Sequence, residues 1–445
     1  MTNFEHSVLF FLQMATILAL CKLMGMLARR IGQPQVIGEM VAGILLGPSV
    51  FGYFFSGLQE SLFPKSSMSI LYTAAQVGLV FYMFLVGLDF NPEILSKRIR
   101  SAISISMAGI IAPFILGAAL VPLLIQKTGF LETHIKGWQG CLFLGAAMSV
   151  TAFPVLARII SAKNLGGTRL GTLTLAAGSI DDVAAWCILA VTLACLKQDL
   201  GMAMAAIGGG ALYAWGVLVL AKPLLRKLGA IAERAGRVEP AMLFTILLTL
   251  MLAAWFTDTI GIYAVFGAFL LGVAIPRGTL RDGMERVLEP LTVNFFLPLY
   301  FVYSGLNTRL SLVHSLDDWA ITGLILLSAC VGKGVACWAA SRMNGESNKD
   351  SLAVGALMNA RGLMELIMLN IGLEKHIITP LLFTIMVIMA LTTTFMTSPL
   401  FDWIKGTKGR GEETNTQGNE AVVPGLLAFE APAKKELQGQ GKTIN

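Results

Sequence analysis

Thirteen apolar stretches run through the 445-residue chain, at 8–28, 35–53, 67–90, 101–126, 138–161, 170–196, 201–221, 240–256, 259–276, 289–306, 317–341, 351–373 and 380–404. Most hold the roughly 20 residues that a helix needs to cross about 30 Å of hydrocarbon. Inside lipid every backbone polar group must be satisfied within the span, so such a chain is restricted to a bundle of transmembrane helices. The composition agrees, with 55% hydrophobic and 13% charged residues against about 25% charge in a soluble domain. The first stretch is long and has no basic leader, so it is expected to be a transmembrane helix and not a cleaved signal. The stretches at 35–53, 240–256 and 289–306 are the shortest or most interrupted.

The basic residues test that count. Loops on one side hold Arg29 and Arg30; Lys97, Arg98 and Arg100; Arg158, Lys163 and Arg169; Lys222, Arg226, Lys227, Arg234 and Arg237; Arg277, Arg281 and Arg286; Arg342 and Lys349; then Lys405, Lys408 and Arg410. The other side holds only Lys65, Lys127, Lys136, Lys197, Arg309 and Lys375. A missed or invented helix would scramble the alternation. The positive-inside rule then places the N-terminus outside and the C-terminus in the cytoplasm. The net charge of +6 therefore reports topology, and no nucleic-acid partner is expected. All six cysteines lie in apolar stretches without metal-ligand spacing and are expected to act as small buried hydrophobes. Residues 1–405 are expected to form one transmembrane domain. The polar, glycine-rich residues 406–445 are expected to be a disordered cytoplasmic tail without a dinucleotide-binding fold.

Asp181 and Asp182 stand side by side in "AAGSIDDVAAWCILA" (176–190), roughly 17 Å deep at 1.5 Å per residue. A carboxylate at the bilayer centre costs about 2.5–3.5 kcal/mol on insertion scales, so it faces a partner or a water-filled cavity. Adjacent helix positions diverge by about 100°. One acid is thus expected to face a neighbouring helix and the other to face water. Lys333, in "SACVGKGVACWAA", is the candidate partner of Asp181; the alternative is a lysine snorkelling to the interface. Two more stretches interrupt their pattern at the same depth: "SVTAFPVLAR" with Thr151 and Pro154, and "LMNARGLMEL" with Asn359, Arg361, Gly362 and Glu365. A broken helix leaves backbone groups free, tolerated at depth only inside protein or beside a cavity. A plain proline kink and a structural Arg361–Glu365 pair at i,i+4 are the simpler alternatives.

The two interrupted stretches are seven apart in order, so they cross in opposite directions. They centre two inverted three-helix repeats, the arrangement of secondary transporters whose half-helix ends face an ion. The motifs "GQPQVIGEMVAGILLGPSVFG", "FLVGLDF", "SVTAFPVLARI", "GSIDDVAAWCILA", "GIYAVFGAFLLGVAIP" and "MNARGLMELIMLNIG" resemble the monovalent cation:proton antiporter-2 family, over residues 8–404. Its NapA-like sodium/proton antiporters and its potassium/proton and plant cation/proton exchangers are the nearest in pattern. The resemblance implies an all-α membrane protein with 13 transmembrane helices, inverted repeats and two broken crossing helices, as in the NhaA and NapA antiporters. It implies a moving core of helices about 101–196 and 317–404, a dimerisation set about 8–90 and 240–306, a linker about 201–221, and a homodimer in a bacterial inner membrane. It also implies that Asp182 carries the cation or proton, that Asp181 pairs with Lys333, and that Thr151 helps line the ion site. Ser179, Pro154, Asn359, Arg361 and Glu365 are implied as the supporting core.

Burial favours the protonated form of a carboxylate and a nearby cation favours the ionised form. An acid so placed exchanges H⁺ for Na⁺ or K⁺, and Asp182 holds one or the other. The expected function is monovalent cation/proton antiport by alternating access, serving pH homeostasis, with no cofactor and no enzymatic step. Two protons per cation, the second released from the Asp181–Lys333 pair, make the cycle electrogenic. A sodium-coupled organic-anion symporter of similar fold and a cation channel are the alternatives. A channel calls for a repeated filter or a ring of like charges, and the sequence displays neither. An intramembrane aspartyl protease needs aspartates on two helices, and here they are adjacent on one. The four histidines, His6, His134, His314 and His376, fall on the outer side, as ordinary loop residues or as external pH sensors.

Overall fold

The computed structural model describes residues 2–89, 99–127, 129–163, 165, 168–196, 200–260 and 263–406. Lys97, Arg98, Lys197 and the tail expected beyond Gly406 lie outside them, as does the Pro154 side chain. Among the described residues the chain is helical, with no strand and one isolated bridge between Leu131 and Ile378.

Helices α1 (Asn3–Arg30), α2 (Gln35–Leu46), α3 (Met68–Asp89) and α4 (Ile99–Gln126) come first. The expected span 138–161 is two pieces, α5 (Gly137–Ser149) and α6 (Phe153–Ala162). Then come α7 (Arg169–Leu196) and α8 (Leu200–Trp215), the latter continuing through a π-helical turn into α9 (Lys222–Ala235). After α10 (Pro240–Thr259) and α11 (Ala264–Ala274), α12 (Thr279–Leu291) leads through a second π-helical turn into α13 (Leu297–Leu306). A third π-helical turn, Val331–Val335, joins α14 (Leu316–Cys330) to α15 (Ala336–Met343). The expected span 351–373 is again two pieces, α16 (Asn348–Met358) and α17 (Leu363–Glu374), and α18 (Pro380–Lys405) closes the bundle.

Nine helical stretches among the described residues are long and apolar enough to cross a membrane. The four pieces α5, α6, α16 and α17 have 13, 10, 11 and 12 residues, each too short to cross alone. Local chemistry sets the ends. Ser315 caps α14 through the Asp318 N–H at 3.0 Å, and Pro240 and Pro380 sit in first turns, where a missing N–H costs nothing. Helix α2 stops at Leu46, short of the expected residue 53, because Gly47 leaves the helix in an extended conformation and Pro48 follows.

The helices pack most extensively in two sets. One holds α1, α2, α3, α10, α11 and α13; the other holds α4–α7 and α14–α18. Between the sets the packing is sparser and runs chiefly from α2 to α18 and from α13 to α17. Glycines make the seams of the first set. A Cβ at Gly87 would lie 2.2 Å from the Phe269 oxygen, and one at Gly305 would lie 2.3 Å from the Gly43 carbonyl carbon. Backbones meet there because no side chain intervenes.

Cys21 and Cys337 are buried, whereas Cys187 and Cys195 are exposed. This corrects the expectation of six buried thiols. The outside of a bilayer-spanning bundle is as apolar as its inside, so an apolar neighbourhood in sequence does not settle burial.

Candidate functional site

The first interruption begins at Val150, whose φ and ψ of −68° and 137° are extended. The last carbonyls of α5 then have no backbone donor within their own helix. Polar side chains meet three of them. Ser149 Oγ donates to the Ala146 oxygen at 2.8 Å, Arg361 Nη2 to the Met148 oxygen at 2.8 Å, and Lys333 Nζ to the Ser149 oxygen at 2.5 Å. Two buried cations thus sit at the negative end of a half-helix, where the helix dipole favours them. Across the gap the first amide of α6, that of Phe153, faces Asp182. The Asp182 carboxylate, from α7, thus lies at the positive end of the half-helix α6. Asp182 is 2% exposed, and its oxygens have no other hydrogen-bond partner among the described residues.

The second interruption crosses the first in direct backbone contact. The Ala152 N–H donates to the Ala360 oxygen at 3.1 Å. A Cβ at Gly362 would lie 3.0 Å from Val155 Cγ2, so glycine keeps the two segments close. Arg361 is fully buried; its backbone N–H donates to Thr394 Oγ1 at 3.0 Å, and its Nη1 lies 3.4 Å from Glu365 Oε1. Glu365, in the first turn of α17, is fully buried as well. Asn359 caps α16 and donates to Cys330 Sγ at 3.5 Å.

Asp181 and Lys333 form a closed network. Lys333 Nζ lies 3.2 Å from Asp181 Oδ2, and both side chains are wholly buried. The Ser106 hydroxyl donates to Asp181 Oδ1 and the Thr151 hydroxyl to Oδ2. Lys333 also donates to the Gly109 oxygen at 3.1 Å. Its place in a π-helical turn widens the helix at that point, as often happens at functional sites. The structure therefore brings Asp181, Asp182, Thr151, Lys333 and Arg361 around one interruption. It leaves Ser179 apart, its hydroxyl bonded back to the Leu175 oxygen of its own helix at 2.8 Å. Pro154 is the second residue of α6, where proline suits a helix start. Ser106 and Gly109 belong to the network although sequence reasoning had not singled them out. A hydroxyl in the apolar run "ISISMAG" was the available signal for Ser106; a backbone carbonyl leaves none.

A crevice of about 660 Å³ lies between the two helix sets, lined by Tyr72, Asp258, Tyr300, Asn370, Glu374 and His134 among others. Tyr72 donates to Glu374 Oε2 at 2.9 Å, and Asn370 Nδ2 donates to Ser304 Oγ at 3.2 Å, so α17 is tied to α3 and α13 across it. At the opposite end of the second interrupted span, ahead of its apolar run, Asp350 pairs with Lys405 at 2.5 Å. Burial works against ionisation of Asp350, but the hydrogen bonds from Lys405 and Ser347 outweigh it and hold the carboxyl below its usual range. Among the described residues no group of three or more His, Cys, Asp or Glu gathers as a metal site. The arrangement offers instead one buried carboxylate, that of Asp182, beside the first amide of α6.

Comparison with known proteins follows the same line. Residues 15–403 match the family model of the sodium/hydrogen exchanger, transmembrane. The chain is 39% identical over 392 residues to the Na(+)/H(+) antiporter NhaS4 of Synechocystis, covering 86% of this chain and 94% of that protein. It is 38% identical over 408 residues to Cation/H(+) antiporter 17 of Arabidopsis thaliana and 33% identical over 405 residues to K(+)/H(+) antiporter 1 of Saccharomyces cerevisiae. These cover 89% and 88% of the chain, which spans 48% and 46% of those longer proteins. The sodium proton antiporter MjNhaP1 of Methanocaldococcus jannaschii shares the fold, with a TM-score of 0.62 at 15% identity over 92% of this chain and 99% of that one. With its multi-pass helical membrane architecture and a family match across nearly all of its described residues, the chain belongs to the sodium/hydrogen exchanger family, whose members are cation/proton antiporters.

Proposed function

We propose that the protein exchanges Na⁺ or K⁺ for H⁺ by alternating access, with Asp182 as the group that holds either the metal ion or the proton. The observation that carries this reading is the contrast between neighbours. Asp181 takes donors from Ser106, Thr151 and Lys333, while Asp182 faces only the Phe153 amide at the start of α6 among the described residues. Asp181 with Lys333 is the ion pair that gives up the second proton, and Thr151 helps line the site. Helices α4–α7 and α14–α18 form the moving core. The set of α1–α3 and α10–α13 is the dimerisation scaffold of a homodimer, and α8 links the halves. The N-terminus lies outside and the C-terminus in the cytoplasm of a bacterial inner membrane. Two protons move per cation, so voltage drives the cycle at about 2.3 kcal/mol per charge per 100 mV. The names of the relatives support both cations, sodium in the cyanobacterial protein and potassium in the yeast one.

The test is purified protein in liposomes holding an internal pH dye, with Na⁺, K⁺, Li⁺ and Rb⁺ added in turn and organic solutes left out. Cation-driven pH change is expected at zero voltage with Na⁺ added outside, and slower at −100 mV (inside negative) set with valinomycin, because one Na⁺ entering for two H⁺ leaving carries net positive charge outward. No pH response to any cation would reject antiport. Equal rates at both voltages would reject the two-proton cycle alone.

A further inference from the structure

Helix α4 carries two prolines in its interior, Pro113 and Pro122. Proline has no N–H, so in an α-helix it leaves the carbonyl four residues earlier without its donor. For Pro113 that carbonyl belongs to Gly109, and for Pro122 to Ala118. Both freed oxygens are used by a neighbour. Lys333 Nζ donates to the Gly109 oxygen at 3.1 Å, and the Cys141 thiol donates to the Ala118 oxygen at 3.4 Å.

The Lys333 side of this contact is shaped to reach it. The residue before the lysine is Gly332, where a Cβ would lie 3.1 Å from Pro113 Cα and 2.9 Å from Leu116 Cδ1. A larger residue would push the lysine-bearing turn off α4. At Gly109 a Cβ would lie 2.7 Å from Cys337 Sγ, so α15 also approaches α4 closely. One turn before Gly109, Ser106 donates to Asp181. Helix α4 thus holds both members of the ion pair, the carboxylate through a hydroxyl and the ammonium through a carbonyl.

We propose that Pro113 is a positioning residue for Lys333: by depriving the Gly109 carbonyl of its helical donor, it makes half of a backbone-oxygen cradle for the lysine ammonium. The other half is the Ser149 oxygen, freed by the end of α5. The ammonium is then held by two neutral oxygens in addition to Asp181, and it keeps its place when the charge around the carboxylates changes. The inference rests on the reading of Lys333 as a member of the ion site. The titratable groups bearing on Lys333 are Asp181 and Asp182 on α7, Arg361 and Glu365 at the second interruption, and Cys337 on α15; the substitutions below alter none of them.

The experiment compares Pro113→Ala with Pro122→Ala, which changes the same helix away from the lysine. Alanine at 113 restores an N–H that competes for the Gly109 oxygen. A third variant carries an α-hydroxy acid at 113 by nonsense suppression; it removes the ring but still offers no N–H. Two profiles are read from pH 6 to 10.5: the rate of cation/proton exchange in liposomes, and the melting temperature of the purified protein. Loss of a hydrogen bond to a charged group disfavours the charged form, so the change that Lys333 deprotonation brings to each profile is expected about one pH unit lower in Pro113→Ala. Pro122→Ala and the α-hydroxy variant are expected to follow the wild type. In a Lys333→Met background the Pro113→Ala displacement of the melting profile is expected to vanish. A wild-type-like profile in Pro113→Ala overturns the proposal. So does an α-hydroxy variant that behaves like alanine, because the ring and not the missing donor would then matter. If the wild type carries out no exchange, antiport fails, and the melting profiles still decide the cradle.

Discussion

Around the first interruption, the ends of α5 and α6 are met from three other segments: Asp182 comes from α7, Lys333 from the turn between α14 and α15, and Arg361 with the Ala360 carbonyl from the second interruption. The second interruption is served closer to home. Arg361 and Glu365 pair one turn apart on the same segment, Thr394 of α18 holds the backbone, and Asn359 reaches Cys330. The same break in a helix has thus been filled in two ways. Where charges converge from separate helices, a small displacement of any helix changes the electrostatics. Where the pair is local, the charge pattern travels with its own helix. The first pattern suits a site that changes state, and the second suits a brace.

The sharpest way to break this comparison is to neutralise the open acid. Asp182→Asn is expected to abolish cation-dependent proton movement in dye-loaded liposomes. Its stability is expected to stay within about 1 kcal/mol, because an amide is cheaper to bury than an unpaired carboxylate. A variant that transports at the wild-type rate removes Asp182 as carrier.

Next come the pairs. Lys333→Ala and Arg361→Ala each strand a buried carboxylate and are expected to cost about 3–5 kcal/mol in chemical denaturation. Double replacement separates the two sites. Arg361→Met with Glu365→Leu is expected to recover most of the stability and exchange within about tenfold of wild type, since apolar groups of similar volume often replace a buried pair without loss. Asp181→Leu with Lys333→Met is expected to recover stability but not exchange. If both doubles transport, the first interruption is a brace too.

Smaller effects sharpen the picture. Ser106→Ala removes a hydrogen bond to an ionised group, expected to be worth about 1.5–3 kcal/mol, and its exchange rate is expected to fall by about tenfold. Asp350→Asn, far from both interruptions, is the smallest. Its folded carboxyl titrates below the usual value, so it stabilises the protein above the unfolded value and loses that contribution as pH falls through the folded one. Solvent screening keeps the pair with Lys405 to about 0.5–1 kcal/mol at pH 7, and wild type and variant are expected to converge in melting temperature as pH falls through the folded carboxyl's titration.

Much of this was visible in the chain before any coordinates. Asp181, Asp182, Lys333, Arg361 and Glu365 are charges in apolar runs, where lipid permits few, and Thr151 with Pro154 and the Asn359–Gly362 run marked both interruptions. What stayed hidden were contacts made by atoms that every residue carries. The Gly109 and Ser149 carbonyls hold Lys333, and the Ala152–Ala360 bond joins the breaks, yet no side chain announces either. Ser179, expected in the supporting core, bonds back to its own helix, as a helical serine can. Cys187 and Cys195 were misjudged because lipid and protein interior select the same residues.

The glycine seams have a consequence for where the molecule yields. At Gly43 against Gly305 and Gly87 against Gly272, backbone rests on backbone, and glycine has no rotamers to lose or exchange there. Such a junction cannot creep by swapping side-chain conformers. The set of α1–α3, α10, α11 and α13 is therefore a stiff plate. In the cycle proposed above, shear between the two sets is expected to collect on one slip surface, the sparse α2–α18 and α13–α17 contacts, crossed by hydrogen bonds such as that of Asn370.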